Sequence, residues 1–283
     1  MNPLVVGVLG VGLVDAGRPV LFADDLGLER GDGCFEGVGV RLGADGRAMV
    51  ADLDAHLARM RRSAAALDIA FDEAGWRSLV TTCLPAWTTP GDAVMRLLLT
   101  RGRPGLGPTG VLTIKPAPAV IEAQLRDGVR VVTLPRGTTS DAYVDAPWLL
   151  GGVKTLSYAV NMAAGREAIR RGAEDVIFLS TDGAVLEAPT ATVVWAVGGT
   201  LRTTPVGATG ILPGTTQQRL FATAKTCGWQ VESVGAVVDD LHAARAVWLV
   251  SAGRGPVDVV ELDGKGRARD LLLNAEIRRL AGF

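Results

Sequence analysis

Residues 149–161 read LLGGVKTLSYAVN and contain one charged side chain, Lys154, among apolar and small neighbours. The whole chain holds only four lysines, so a lysine in such a setting is conspicuous. Burial lowers the pKa of a lysine and supplies the neutral amine that a Schiff base requires. Lys154 alone does not decide the chemistry, because a lysine that reaches into solvent from a strand end fits the same pattern.

The composition narrows the class of protein. The chain has 283 residues, 48% of them hydrophobic, and 29 Lys and Arg stand against 30 Asp and Glu, which gives a formal net charge of −1. Such a chain is not disordered, and its charge favours neither nucleic acid nor an anionic membrane surface as a partner. The length suits one large domain or two modest ones.

Metal, disulfide and membrane sites are not expected. Three scattered cysteines (Cys34, Cys83, Cys227) form no disulfide framework or zinc motif, and two histidines are too few for a His-rich metal centre. The apolar N-terminal run has no basic segment before it and is interrupted by glycines. No apolar stretch is long enough to span a bilayer. We therefore expect a soluble, cytoplasmic protein without a metal.

The pattern of turns predicts two domains. Residues 1–114 read as a small, mixed, hairpin-rich α+β unit. The sequence Lys115-Pro116-Ala117-Pro118 suits neither a helix nor a central strand, so we place an interdomain linker at 115–120. Residues 121–283 then form the larger domain.

Four helices and one hairpin turn can be placed from local patterns. Apolar residues recur at helical spacing from Leu53 to Leu67, and a second helix is expected from near Asp72 to just before Leu84. Further helices are predicted over Asn161–Arg171 and from Pro213 to Cys227, each followed by a glycine. Gly43–Gly46 has the composition of a hairpin turn.

The 36 glycines do not form a nucleotide-binding loop. Neither Gly7–Gly12 nor Gly37–Gly43 has the dinucleotide spacing, and a valine separates the glycine from the lysine in Gly151–Thr155. Ile211–Thr216 is different, since a proline, a glycine and two hydroxyls precede or open a helix. Such a helix start can bind an anion, although an ordinary capped helix explains it as well.

The order of four segments resembles the fold-type IV pyridoxal-phosphate enzymes. These segments are His56-Leu57-Ala58-Arg59, Lys154–Tyr158, Glu187 in the apolar run AVLEAP, and Leu212–Thr216. The resemblance extends from Ala23 to Ala252. It implies a two-domain α+β or α/β architecture of the D-amino-acid aminotransferase type. In that architecture a small hairpin-rich N-terminal domain accompanies a larger, barrel-like C-terminal domain flanked by helices.

The resemblance also implies a role for each matching residue. Lys154 is the catalytic lysine that forms the Schiff base with pyridoxal 5′-phosphate and later moves the proton. Glu187 keeps the pyridine nitrogen protonated, so that the ring acts as an electron sink. Arg59 binds the phosphate, and Leu212 packs against the ring face. Tyr158 either hydrogen-bonds near the phenolic oxygen or belongs to the protein core. The other phosphate contacts are Gly214, Thr215, Thr216, Ser251 and Ala252.

Two departures from the family pattern affect these contacts. The family often has an asparagine followed by an aromatic a few residues after the glutamate, where this chain has Thr192, Val193 and Val194. An aliphatic commonly follows the glycine of the Leu-Pro-Gly segment, where this chain has Thr215. Both changes bear on the affinity for the cofactor.

Within the family, three segments resemble aminodeoxychorismate lyases. They are Gly31–Phe35, Leu99–Gly102 and Ser251–Arg254. Arg101 and Arg254 are accordingly candidate ligands for a substrate carboxylate, because a guanidinium binds carboxylates bidentately; solvated loop charges explain them equally well.

We therefore predict a lyase that releases pyruvate and forms 4-aminobenzoate in folate biosynthesis. An aminotransferase of the branched-chain or D-amino-acid type is the alternative, since the residues required overlap. A non-catalytic pyridoxal-phosphate-binding protein is a third, disfavoured by the presence of both Lys154 and Glu187. The resemblance further implies a homodimer that acts on a small amino-bearing carboxylate.

Overall fold

The computed structural model describes residues 3–43 and 46–283, and the chain divides into two compact units. Unit 1 consists of Met1–Pro118 and Val153–Tyr158, and unit 2 consists of Ala119–Gly152 and Ala159–Phe283. The segment that contains Lys154 thus belongs to unit 1. We propose that the domains predicted as 1–114 and 121–283, joined by 115–120, correspond to these units apart from that segment.

Unit 1 is built on a six-stranded antiparallel sheet. Its strands are β1 (Val5–Val8), β2 (Gly12–Val14), β3 (Gly33–Leu42), β4 (Ala48–Val50), β5 (Ala93–Arg103) and β6 (Gly107–Pro116). They are ordered β2-β1-β6-β5-β3-β4. Its helices are α1 (Leu26–Arg30), α2 (Leu53–Ala66) and α3 (Glu73–Cys83), and a short 3₁₀ helix follows at Leu84–Ala86.

The two longer helices of unit 1 confirm the helical spacing of the sequence. Leu57, Met60 and Ala64 of α2 are buried in the same core as the sheet residues, because apolar side chains three and four apart share one helix face. Asp72 caps α3, since its carboxylate accepts a hydrogen bond from the Gly75 N–H at 2.9 Å. The predicted turn Gly43–Gly46 joins β3 to β4, but its residues 44 and 45 lie outside the described residues.

One strand of unit 1 is longer than expected. We predicted that the chain leaves the sheet after Ile114, but β6 continues through Lys115 to Pro116, which lies opposite Ala93 of β5. A proline is tolerated at the end of a strand because no ladder hydrogen bond then depends on its missing N–H.

Unit 2 contains a mixed sheet. Its strands are β7 (Val129–Pro135), β8 (Asp175–Leu179), β9 (Thr192–Val197), β10 (Thr200–Thr203), β11 (Gln230–Ser233), β12 (Ala246–Ser251), β13 (Gly255–Leu262) and β14 (Lys265–Gly266). The order is β11-β10-β9-β12-β13-β7-β8, and β14 pairs with β13. The helices are α4 (Val120–Asp127), α5 (Ala159–Arg170), α6 (Thr215–Thr226), α7 (Val238–Ala243) and α8 (Leu271–Leu280), and a 3₁₀ helix lies at Pro147–Leu149.

The centre of this sheet is covered on both faces. In β9, Val193 and Trp195 pack into one apolar cluster, while Val194 and Ala196 pack into another that also contains residues of α6 and α8. Successive side chains of a strand point to opposite faces, so a strand buried on both sides is apolar throughout. This position explains why β9 reads as an uninterrupted apolar run.

Two predicted helices of unit 2 are confirmed with shifted ends. The helix expected over Asn161–Arg171 spans Ala159–Arg170, and the helix expected from Pro213 spans Thr215–Thr226. The latter begins later because Gly214 is its N-cap residue and has an extended backbone. In the part of the chain that the structure describes, no helix is both long and apolar enough to cross a membrane.

Candidate active site

The backbone around Lys154 is fixed by unit 1. The Phe35 N–H donates to the Lys154 carbonyl at 3.0 Å, and the Leu156 N–H donates to the Gly33 carbonyl at 2.8 Å. On the other side, the Lys154 N–H donates to the hydroxyl of Ser63, a buried residue of α2, at 3.1 Å. Strand β3 and helix α2 together therefore determine where the lysine side chain begins.

The amine of Lys154 lies beside two aromatic rings. Its Nζ is 4.5 Å from the ring centroid of Phe35 and 5.9 Å from that of Tyr158. The two rings meet edge to face, with centroids 5.3 Å apart. Aromatic faces attract an ammonium group, and their bulk limits the directions in which the side chain can extend. Lys154 is thus half-buried rather than extended into bulk solvent.

The predicted phosphate ligand Arg59 is held by a carboxylate. Both residues are buried, and Glu36 on β3 has no exposed surface. The Arg59 Nε donates to Glu36 Oε1 and one terminal nitrogen donates to Oε2, each at 2.7 Å. The His56 Nδ1 lies 2.7 Å from the same Oε2. Burial raises the pKa of Glu36, but the hydrogen bonds from Arg59 and His56 outweigh burial and lower its pKa to about 2.

Glu36 and the role of His56 were missed in the sequence. A signal was present, because a glutamate in an otherwise apolar strand must be paired if it is buried, and His56 and Arg59 are three residues apart on one helix face.

In unit 2, Glu187 and Leu212 are brought together. The Phe178 N–H donates to the Glu187 carbonyl at 2.9 Å, which fixes the backbone of the glutamate against β8. The Leu212 N–H donates to Glu187 Oε2 at 3.1 Å. The carboxylate therefore faces the segment that opens α6, and it is half-buried.

The start of α6 is tightly built. Thr215 and Thr216 are both buried as the first two helical residues. A Cβ placed on Gly214 would lie 2.3 Å from Thr192 Oγ1, so a side chain there would have to displace the Thr192 hydroxyl. Thr192, one of the departures from the family pattern, therefore packs directly against Gly214. The N–H groups of a first helical turn have no partner within the helix and suit a phosphate.

Ser251 and Ala252 lie at the turn between β12 and β13, where Ser251 pairs with Gly255. Arg254, in the same turn, is buried; it donates to Asp175 at 2.6 Å and to Gln124 at 2.9 Å. The contacts of Arg254 seen here are therefore internal to unit 2.

Arg101 is also engaged within its own unit. Its Nε donates to Asp32 at 2.5 Å, and a terminal nitrogen donates to the carbonyl of Leu67, just past α2, at 2.6 Å. Binding of a substrate carboxylate by Arg101 or Arg254 stays a prediction, and the contacts observed are structural ones.

Comparison with known proteins identifies the family. The sequence profile described as amino-transferase class IV matches residues 33–262, which is most of the chain. The chain belongs to the class IV aminotransferase family. This confirms the resemblance to fold-type IV enzymes and the predicted fold class. The family uses pyridoxal 5′-phosphate, so the protein is a pyridoxal-phosphate-dependent enzyme.

Individual class IV relatives cover nearly the full chain. A bifunctional aminodeoxychorismate lyase / D-amino acid transaminase of Mycobacterium tuberculosis is 42% identical over 263 residues, which is 89% of either chain. A hypothetical aminotransferase from the same organism has been solved in a PLP-bound form and in a form with α-ketoglutarate and PMP. Each structure is 41% identical to this chain and has a TM-score of 0.92. The match to the PLP-bound form covers 99% of this chain and 98% of the solved chain. The match to the other form covers 98% of both chains. A fold IV transaminase from Curtobacterium pusillum is 37% identical, with a TM-score of 0.90 over 99% of this chain and 97% of its own.

The residues of this class IV enzyme fit its cofactor. Arg59 is a buried cation whose plane is fixed by Glu36. Helix α6 begins with two buried hydroxyl residues, Thr215 and Thr216, and the N–H groups of a first helical turn suit a phosphate. Lys154 supplies an amine with a fixed backbone, and Glu187 supplies a carboxylate held by a backbone N–H. These donor and acceptor types match a phosphate, an aldehyde and a pyridine nitrogen.

Proposed function

We propose that this protein is a 4-amino-4-deoxychorismate lyase, which releases pyruvate and forms 4-aminobenzoate in folate biosynthesis. The observation that carries the proposal is the position of the lyase-like segment Gly31–Phe35. Its last residues are the part of β3 that hydrogen-bonds the backbone at Lys154 and Leu156. Arg101 of the second lyase-like segment is paired with Asp32 of the first. The bifunctional relative supports the same activity.

The roles of the residues follow from their chemistry. When bound, pyridoxal phosphate supplies an electron sink that stabilises a carbanion. Arg59, Gly214, Thr215 and Thr216 bind its phosphate, with Ser251 and Ala252 at the same group. Leu212 packs on the ring face and Tyr158 adjoins the phenolic oxygen.

Two residues act on protons in this proposal. Glu187 keeps the pyridine nitrogen protonated. Lys154 Nζ removes the proton from the substrate carbon that bears the amino group. The bond between the neighbouring ring carbon and the enolpyruvyl oxygen then breaks. Enolpyruvate leaves and takes up a proton at its methylene carbon to become pyruvate, and the remaining ring becomes aromatic.

An aminotransferase is the second candidate function. The named activities of the relatives favour it, since one relative is also a D-amino acid transaminase and one solved neighbour holds α-ketoglutarate with PMP. Lys154 would then return the proton to a different atom, and a 2-oxo acid would be required as acceptor. A non-catalytic binding protein would need neither Lys154 nor Glu187.

We further propose that the enzyme is a cytoplasmic homodimer. Unit 2 exposes large apolar side chains in α5 and in the 3₁₀ helix at Pro147–Leu149, including Ile169 at 72% and Trp148 at 74%. Exposed apolar groups of this size are more favourable when a second protein surface covers them.

The decisive experiment supplies enzymatically generated aminodeoxychorismate to the purified holoenzyme without any oxo acid. We expect equal amounts of pyruvate and 4-aminobenzoate, and we expect Lys154→Ala to form neither. If the wild-type protein instead only exchanges amino groups between D-alanine or a branched-chain amino acid and 2-oxoglutarate, the aminotransferase function replaces the lyase.

A further inference from the structure

Two residues of a buried cluster in unit 1, Glu36 and His56, have no role in the chemistry described so far. Glu36 on β3 contacts Arg59 and His56 on α2, and all three side chains are almost fully removed from solvent. We propose that Glu36, assisted by His56, is a positioning residue that sets the guanidinium of Arg59 for the cofactor phosphate. The proposal rests on the phosphate-binding role of Arg59 in the proposed function.

The geometry of the ion pair fixes an orientation, not only a charge. Two parallel hydrogen bonds of 2.7 Å join the guanidinium edge to the two carboxylate oxygens. A bidentate pair of this kind fixes the plane and the rotation of the guanidinium, whereas a single bond leaves it free to turn. Glu36 thus sets the direction in which the other edge of the Arg59 guanidinium points.

Stability alone gives little reason for such a pair. Removing two charges from water is costly, and apolar side chains of similar volume often stabilise a core as well or better. The ion pair provides a buried cation in one orientation, which an apolar core cannot provide. That is the property required of a ligand for a phosphate dianion, which a planar guanidinium recognises through its own geometry.

His56 completes the support. Its Nδ1 lies 2.7 Å from Oε2, the oxygen that already accepts a bond from Arg59. Because a carboxylate oxygen only accepts, the proton must lie on Nδ1. Glu36 is therefore held from two positions of the same helix and cannot rotate away from Arg59.

The same two elements also hold the catalytic lysine. Ser63 of α2 accepts the Lys154 N–H, and Phe35, adjacent to Glu36 on β3, donates to the Lys154 carbonyl. Because neighbouring residues of a strand point to opposite faces, Glu36 and Phe35 can serve Arg59 and Lys154 separately. A change at Glu36 should thus weaken phosphate binding more than attachment at Lys154.

The test compares pyridoxal phosphate with pyridoxal, which lacks the phosphate. Binding of each to the apo protein is followed by absorbance titration for the wild type and for Glu36→Gln. We expect Glu36→Gln to lose about tenfold to a hundredfold in affinity for pyridoxal phosphate, the range of a hydrogen bond to a charged group, with affinity for pyridoxal unchanged. An equal loss for both ligands, or no loss, overturns the proposal.

Two further variants make the result specific. Glu73→Gln removes a glutamate–arginine pair at the surface of the same unit and should bind both ligands as the wild type does. His56→Gln should show a smaller loss with the same preference, and it carries the test if Glu36→Gln does not fold. In that case the proposal is overturned if a folded His56→Gln protein also loses pyridoxal binding. It is equally overturned if that protein binds pyridoxal phosphate as tightly as the wild type.

Arg59→Met separates this inference from the proposed function. If Arg59→Met still prefers pyridoxal phosphate over pyridoxal as strongly as the wild type, Arg59 does not bind the phosphate and its assignment fails. If Arg59→Met loses the preference while Glu36→Gln retains it, only the positioning role of Glu36 fails. If both roles are correct, the double variant Glu36→Gln, Arg59→Met binds pyridoxal phosphate no more weakly than Arg59→Met alone.

Discussion

At the scale of single residues, Glu36 shows how burial and charge compete. Burial disfavours its ionised form, yet the bonds from Arg59 and His56 bring its pKa to about 2, below the ordinary value of 4.5. The Cys34 thiol also faces this carboxylate, and its pKa is raised to about 12 by burial and by the charge of Glu36. A carboxylate whose folded pKa is depressed stabilises the native state fully above its unfolded pKa. That contribution disappears as the pH falls through the folded value.

Because ionised Glu36 stabilises the native state, the stability difference between the wild type and Glu36→Gln should depend on pH. At neutral pH the variant should be less stable than the wild type by about 3 kcal/mol, since it leaves a buried cation without its charged partner. The difference should shrink as the pH falls from 4.5 toward 2, because Glu36 becomes protonated over that interval. Urea unfolding of both proteins at several pH values measures it. A difference that stays constant over this interval contradicts an ionised Glu36 in the folded protein.

At the scale of elements, the turn between β12 and β13 is fixed by its own arginine. Arg254 links this turn to β8 through Asp175 and to α4 through Gln124. The turn also carries Ser251 and Ala252, for which we propose contacts with the phosphate. The buried ion pair between Arg254 and Asp175 stabilises the arrangement only while both partners are present.

We therefore expect Arg254→Met to act on stability rather than on substrate binding. The free energy of unfolding should decrease by about 3 kcal/mol or more, which lowers the melting temperature by several degrees. Asp175→Asn should have a similar effect. The double variant should lose less stability than the sum of the two single variants. Thermal denaturation and steady-state kinetics measure both effects. Arg170→Met, which breaks a surface pair with Glu167, is the control and should change stability by less than about 1 kcal/mol. A raised KM with an unchanged melting temperature would instead support Arg254 as the substrate ligand.

At the scale of the whole molecule, binding of pyridoxal phosphate is coupled to the free energy of unfolding. A ligand that binds only the native state raises the free energy of unfolding in proportion to the logarithm of one plus the ratio of its free concentration to its dissociation constant.

Pyridoxal phosphate should therefore stabilise the entire protein. At a free concentration a hundred times the dissociation constant, the expected gain is about 2.7 kcal/mol, which corresponds to several degrees in melting temperature. Differential scanning calorimetry of apo and loaded protein measures it, and Lys154→Ala should gain less. A wild-type melting temperature that does not respond to pyridoxal phosphate contradicts the assigned ligands.

The sequence by itself determined the two longer helices of unit 1 and the family. Helix α2 was predictable because its apolar residues recur every three or four positions, and α3 because Asp72 is a local cap. The family followed from the order of Lys154, Glu187 and Leu212–Thr216 along the chain, which needs no knowledge of their distances.

The tertiary structure alone decided which charges are paired. Glu36 and Arg59 are 23 positions apart, and Asp175 and Arg254 are 79 positions apart. No local periodicity links residues at such separations; strand pairing and helix packing bring them together. The same holds for residues 153–158, which join unit 1 through hydrogen bonds to β3 and α2. Local patterns fix elements because their interactions span a few residues, whereas partners of buried charges depend on how those elements pack.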